Sequence, residues 1–252
     1  MKNENIRKIL IFTLCLIPIA AVAGVFVCLY QLDLYGEEML AEAIAMLGSK
    51  EVLLVITAVQ TVGYAVVCGL IGGLIADQLG LWRSFKLQKK SLLLTLALSL
   101  PLGVMFSLDY WTFGAVFPAI QDAASAGLTV QGNIAAVLYG GVIEEVMLRL
   151  FVMSLLALIL WKVFARKQES APAWTLATAN VVAAVLFAAG HLPATAVTFG
   201  SLSPLLLFRC FLLNGGFAMV FGYLYRKHGI LYAMISHAAL HIVSRVIWVI
   251  FA

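Results

Sequence analysis

The chain has 252 residues, of which 63% are hydrophobic and 11% are charged, and its mean hydropathy is +1.05. Because a soluble domain would carry about a quarter charged residues, this composition excludes a soluble globular protein. The net charge of +4 comes from basic residues in short loops, which excludes a nucleic-acid-binding surface. Recurring apolar runs predict an all-α fold, a polytopic transmembrane helical bundle of about seven or eight spans. We expect one membrane domain over residues 1–252.

Seven apolar segments are predicted to cross the membrane. In chain order they lie at residues 9–30, 52–80, 91–108, 133–164, 174–195, 203–225 and 230–251. The first contains a stretch at 21–23 that resembles a signal-peptide cleavage site, but its apolar run continues to Leu29, so we expect an uncleaved helix. The loop at 31–51 is mainly acidic, whereas those at 81–90 and 162–167 are basic. This alternation predicts an integral protein of the cell membrane with a cytoplasmic N-terminus.

One further segment, residues 111–128, is apolar enough to enter the membrane. It contains Pro118, Gln121 and Asp122, which suit an interfacial or re-entrant piece better than a crossing helix. A crossing here would also invert every later loop and break the charge alternation. We therefore interpret this segment as one that does not cross.

Residues 140–151, GGVIEEVMLRLF, place two adjacent carboxylates and an arginine inside an apolar helix. Each such group at the centre of a bilayer helix costs about 2.5–3.5 kcal/mol on insertion scales. Glu145 and Arg149 are four residues apart and share a helix face, which predicts an ion pair with a structural role. Glu144 lies about 100° round an α-helix from Glu145, so it is expected to point elsewhere and to need another partner.

Three histidines in apolar helices are the candidate partners of Glu144. His191 ends the stretch VLFAAGH, and His237 and His241 are one turn apart in ISHAALHIV. The fourth histidine, His228, follows two basic residues and is interpreted as a solvated loop residue. A single intramembrane histidine usually has only a structural hydrogen bond, but three of them together with an unpaired carboxylate favour a shared functional site.

Three short motifs on separate helices resemble those of a known family. EEVMLR (144–149), FAAGH (187–191) and HAALH (237–241) are similar to the EExxxR, FxxxH and HxxxN motifs of the CPBP family of intramembrane proteases. That family includes the type II CAAX prenyl endopeptidases and the bacteriocin-processing or self-immunity proteins, also called Abi. The resemblance covers residues 140–245 and implies a catalytic core there. It also implies cleavage of a membrane-associated or lipidated peptide or protein, without a cofactor.

The resemblance also implies roles for individual residues. Glu144 would be the catalytic carboxylate, and His191 would help it to activate a water molecule. His237 and the residue one turn later would bind the oxyanion. That residue is His241, where family members often have Asn, and a neutral imidazole can donate one hydrogen bond as an amide can. Peptide hydrolysis without a Ser or Cys nucleophile needs such a base and such a donor.

Other functions remain open from the residues alone. Glu144 and the three histidines are also a plausible zinc site, with Glu145 or a bound water in catalysis, although a HExxH motif is absent. A protein without catalytic activity could instead bind a membrane partner, such as a sensor kinase or a peptide, as a regulatory or immunity protein. A proton-coupled transporter could use Glu and His as relays, but the sequence shows no inverted repeat. Nothing in the sequence distinguishes a prenylated substrate from a bacteriocin leader or a signalling peptide.

Overall fold

The computed structural model describes residues 2–83 and 85–252, and this part of the chain is helical without any strand. Seven helices in the described ranges are long and apolar enough to cross a membrane, which confirms the predicted all-α transmembrane fold. These spans are Glu4–Tyr35, Lys50–Gln78, Lys89–Ala115, Val130–Phe164, Ala173–Phe199, Pro204–His228 and Ile230–Phe251.

The helices are labelled here in chain order. They are α1 (Lys2–Leu47), α2 (Lys50–Gln78), α3 (Lys89–Ser107), α4 (Ala119–Gly127), α5 (Val130–Phe164), α6 (Ala173–Gly190), α7 (Leu192–Phe199), α8 (Pro204–His228) and α9 (Ile230–Phe251). Two of them, α5 and α8, are continuous helices whose middle parts wind as π-helices. The π-helical parts are Ala135–Glu144 and Val146–Met153 in α5 and Phe211–Gly216 in α8.

Local signals in the sequence fix the ends of the helices that carry the site. The hydroxyl of Thr129 accepts a hydrogen bond from the Gly132 amide at 3.0 Å and caps the start of α5. The hydroxyl of Ser203 caps α8 in the same way, accepting from the Leu206 amide at 3.3 Å. Gly229 separates α8 from α9 with a φ of 103°, a conformation that glycine adopts without steric penalty. The two helices therefore follow each other without a loop.

The first helix is longer than the sequence analysis predicts. The span expected at 9–30 continues through the segment interpreted as a loop and ends only at Leu47. Between residues 32 and 47 the chain is rich in Leu, Ala, Glu and Met and contains no proline, so helix propensity is high there. The helix stops at Gly48, whose φ of 94° is incompatible with its continuation.

The segment at 111–128 contains no helix long enough to cross a membrane. The chain forms two short 3₁₀ turns, Leu108–Tyr110 and Phe113–Ala115, and then the nine residues of α4. At 1.5 Å per residue, α4 is about 13 Å long, less than half of the roughly 30 Å hydrocarbon core. This agrees with its interpretation as an interfacial or re-entrant piece.

Helix α5 lies at the centre of the bundle and contacts α1, α2, α6, α8 and α9. Its inward side chains belong to the main hydrophobic core, and the fully buried ones are Ile143, Val146, Leu150, Met153 and Ala157. On one side, a Cβ at Gly72 of α2 would lie 2.8 Å from the Leu150 carbonyl carbon, so only glycine allows the two backbones to come this close. Close packing on several sides holds the carboxylates of α5 in place.

Candidate active site

The two adjacent carboxylates of α5 lie in different surroundings. Glu144 ends one π-helical part of α5, and Glu145 separates it from the next. Glu145 is fully buried, and Glu144 is half-buried at the wall of a central cavity. Glu144 lines the cavity and Glu145 does not, which agrees with the expectation that the two carboxylates have different partners.

A cavity of about 620 Å³ lies between α1, α3, α4, α5, α8, α9 and the junction of α6 with α7. The four residues predicted to form the catalytic set, Glu144, His191, His237 and His241, all line this cavity. Glu144 comes from α5, His191 joins α6 to α7, and both other histidines come from α9. The fold thus brings the three motifs to one place, while the roles of their residues stay a prediction.

The ion pair expected between Glu145 and Arg149 is present. Arg149 Nη1 lies 3.1 Å from Glu145 Oε1, and both side chains are buried. The same carboxylate oxygen also accepts a hydrogen bond from His237 Nδ1 at 2.9 Å, a contact that the sequence analysis did not predict. Glu145 therefore has a second partner besides the arginine: it connects α5 to α9 and orients the ring of His237.

The guanidinium of Arg149 is compensated partly by aromatic rings. It lies over Phe187, at 4.7 Å from the ring centroid, and 5.4 Å from the centroid of Phe221, within the range of cation–π interactions. Its contact with Glu145 is an ion pair by distance but does not have hydrogen-bond geometry. Neither Arg149 Nη2 nor Glu145 Oε2 has a hydrogen-bond partner among the described residues. Removal of either member would leave the other as a poorly compensated buried charge.

Two of the cavity histidines have an acceptor opposite Nδ1. His191 Nδ1 lies 2.8 Å from the carbonyl oxygen of Phe187, and His237 Nδ1 faces the Glu145 carboxylate. A carbonyl or a carboxylate can only accept, so Nδ1 carries the proton in both rings. In the neutral ring the other nitrogen, Nε2, is then a hydrogen-bond acceptor.

The third cavity histidine has the opposite arrangement. His241 Nδ1 lies 3.1 Å from Arg245 Nη1, and a guanidinium can only donate. Nδ1 of His241 is therefore the acceptor, and Nε2 carries the proton. His241 stacks on His237, with ring centroids 5.0 Å apart. The Nε2 atoms of both rings are close to Gly140, since a Cβ there would lie 3.2 Å from that of His241 and 3.7 Å from that of His237.

Several other polar side chains at the cavity wall were missed by the sequence analysis. They include Asp109, Arg209, Asn214 and Arg245. Asp109 and Arg209 form a two-point ion pair in which Nε donates to Oδ1 at 2.8 Å and Nη2 donates to Oδ2. They are 100 residues apart, so no local pattern indicates the pair. Arg245 could have been found, because it follows His241 by four residues in an apolar helix, a spacing that puts both on one face.

His228 does not belong to the residues that line the cavity. It is the last residue of α8 rather than part of a loop, and its Nδ1 lies 3.0 Å from the hydroxyl of Ser91 in α3. Its interpretation as a solvated loop residue is therefore wrong in detail, because this hydrogen bond ties it to a neighbouring helix. Its exclusion from the candidate site agrees with its position.

The zinc alternative requires side chains that converge on one point at about 2.0–2.1 Å from the ion. Within residues 2–83 and 85–252, no group of three or more His, Cys, Asp or Glu side chains is arranged to hold a metal ion. The Nδ1 atoms of the three cavity histidines each face a protein partner. Glu144 and the three cavity histidines therefore do not converge on one metal-binding point in this structure.

Comparison with known proteins identifies the part of the chain that carries this cavity. Residues 127–243 match the family model described as type II CAAX prenyl endopeptidase Rce1-like. The matched range includes α5 to α8 and most of α9, with all three motifs. No curated protein and no solved structure matches the chain. Residues 127–243, slightly less than half of the chain, are therefore similar to the Rce1-like type II CAAX prenyl endopeptidases, as the motifs predict, and this similarity points to an intramembrane protease.

Proposed function

We propose that this protein is an intramembrane endopeptidase in which Glu144 and His191 activate a water molecule and His241 and His237 bind the oxyanion. The observation that carries this proposal is the meeting of all four side chains at one cavity between apolar helices. Among the described carboxylates near the cavity, Glu145 and Asp109 are less suitable bases, because Glu145 already has Arg149 and His237 as partners and Asp109 has Arg209.

The activation of water needs a base in contact with the cavity. Glu144 lines the cavity and is half-buried, so its carboxylate can take a proton from a water molecule there. His191 offers an acceptor at Nε2 because its Nδ1 donates to the Phe187 carbonyl, and a second acceptor orients the same water. The water oxygen attacks the peptide carbonyl carbon, and the proton held by Glu144 passes to the leaving amine as the C–N bond breaks.

The oxyanion formed by this attack needs donors at the other side of the cavity. His241 supplies one in its neutral form, because its proton is on Nε2. His237 donates from Nε2 only when both of its nitrogens are protonated, since Nδ1 donates to Glu145. Gly140 leaves the space beside both Nε2 atoms open. One such donor is typically worth about 10²–10³ in kcat.

The shape and walls of the cavity support an apolar peptide as substrate. Its volume of about 620 Å³ is within the roughly 300–1,000 Å³ typical of ligand pockets. Aromatic side chains from three helices, Phe106, Phe217 and Trp248, form part of the wall. A hydrophobic or lipidated segment near a scissile bond would suit these apolar walls.

The proposal is tested with purified protein in lipid nanodiscs. The probe is a quenched fluorogenic peptide that ends in a farnesylated Cys followed by three residues, and the matched unprenylated peptide serves as comparison. We expect Glu144→Gln to lower kcat by about 10²–10⁴, the usual contribution of a general base. Glu169→Gln, in an exposed loop, is the matched control and should be unaffected.

Two results would contradict the proposal. Full activity of Glu144→Gln would exclude Glu144 as the base. Failure of the wild-type protein to cleave either peptide, together with specific binding of the intact peptide, would favour the alternative of a binding protein without catalysis.

A further inference from the structure

Arg245 is held in one orientation at the wall of the cavity. Its Nε donates to the carbonyl of Gly127 at 3.1 Å, and its Nη2 lies 3.5 Å from the carbonyl of Gly132. Its Nη1 contacts Nδ1 of His241 at 3.1 Å and the carbonyl of His241 at 3.4 Å. The guanidinium thus connects α9 to the end of α4 and to the first turn of α5, and one of its donors is aimed at an imidazole nitrogen.

This contact decides which nitrogen of His241 carries the proton. An amide in place of the imidazole would present an N–H donor with no tautomer to choose, whereas a neutral imidazole donates only from the protonated nitrogen. Because Arg245 cannot accept a hydrogen bond, Nδ1 must be the acceptor and the proton must be on Nε2. Nε2 is the nitrogen near Gly140 and Nε2 of His237, at the place where the proposed function needs a donor.

We propose that Arg245 is a positioning residue that holds His241 in the Nε2–H tautomer and in the ring orientation needed to stabilise the oxyanion. This inference rests on the proposed function, since the donor has a purpose only if an oxyanion forms beside it. The value of such a contact is known from the Ser–His–Asp triad, in which loss of the group that fixes the tautomer lowers kcat by about 10⁴. We expect a smaller effect here, because His241 acts as a donor and does not transfer a proton.

A direct role of Arg245 in binding a substrate carboxylate is less consistent with its contacts. All three of its nitrogens already face acceptors, namely two backbone carbonyls and the His241 ring. The two roles also differ in what they predict. An arginine that binds substrate is needed whatever residue stands at position 241, whereas an arginine that fixes a tautomer is needed only if that residue is histidine.

The experiment is a double-mutant cycle with the farnesylated fluorogenic peptide, measured on the full chain in nanodiscs. Arg245→Met removes every donor but keeps much of the side-chain volume, and we expect kcat to fall about 10²-fold with little change in KM. In the His241→Asn background the same change should alter kcat less than about threefold, because an amide needs no tautomer to be fixed. Arg209→Met is the matched control: this arginine also lines the cavity but binds Asp109, so its effect should be equal in both backgrounds.

A spectroscopic measurement keeps the test independent of how well the variants fold. In the wild-type protein with ¹⁵N-labelled histidine, the His241 signals, assigned by their loss in His241→Asn, should show a proton on Nε2. The proposal is overturned if that proton is on Nδ1, or if Arg245→Met lowers kcat equally in both backgrounds. Failure of the proposed function would look different, since Glu144→Gln would then be fully active whatever the tautomer of His241.

Discussion

The substitution Gly140→Ala should separate activity from stability. A Cβ at this position would lie 3.2 Å from Nε2 of His241, 3.5 Å from its Cδ2 and 3.7 Å from Nε2 of His237. The shortest of these contacts requires the His241 ring to move by a few tenths of an ångström. The ring is held by Arg245 on one edge and by stacking on His237, so it can yield only by giving up its orientation. The added methyl would also occupy the space proposed for the oxyanion.

This substitution should lower kcat/KM but leave the free energy of unfolding unchanged or slightly higher. Blocking one oxyanion donor should lower kcat/KM by about 10²–10³, whereas replacing glycine by alanine within a helix favours folding by at most about 1 kcal/mol. We therefore expect a nearly inactive protein whose thermal unfolding in nanodiscs is unchanged or slightly later. Gly63→Ala in α2 is the control, because a Cβ there would have no atom within 4 Å. Normal kcat/KM of Gly140→Ala would refute the assignment of the oxyanion site to this position.

Two further predictions concern the remaining polar groups. Arg149→Ala leaves the buried Glu145 with only its His237 contact, so it should destabilise the protein by about 3–5 kcal/mol and lower its abundance in membranes. Arg166→Ala, in an exposed loop, is the control and should leave the abundance unchanged. Normal abundance of Arg149→Ala with lost activity would instead give Arg149 a role in substrate binding. His241→Asn should keep most of the activity, whereas His241→Ala should lose about 10²–10³ in rate. Chelators should not inhibit either variant. Tightly bound zinc that disappears with either substitution would contradict a mechanism without metal.

The helical framework was predictable because the signal for each span is local. A helix of about twenty apolar residues is stable only in a membrane or in a large protein core. The predicted spans 203–225 and 230–251 accordingly correspond closely to α8 and α9. The end of α1 was not predictable in this way. Acidic residues after position 31 indicate an end to the apolar run, but they do not end a helix, because glutamate and leucine both favour helical backbone.

The residues of the candidate site were predictable from the motifs and from the cost of unpaired polar groups in a membrane, but their individual contacts were predictable only where they are local. The pairing of Glu145 with Arg149 follows from their spacing along one helix, whereas the bond from His237 to Glu145 joins residues 92 positions apart and has no sequence pattern. The π-helical winding of α5 was also not predicted, because no residue pattern in the sequence indicated it.

The order of synthesis gives the Glu145–Arg149 pair a consequence beyond the finished structure. Helix α5 leaves the ribosome before α9 exists, and the 92 residues between Glu145 and His237 take about 5–20 s to translate. During that interval the carboxylate cannot have its histidine partner, and an isolated charge would hinder transfer of α5 into lipid. Because the arginine is on the same helix, the two charges enter the bilayer already compensated. The histidine bond can form only after α9 has been synthesised.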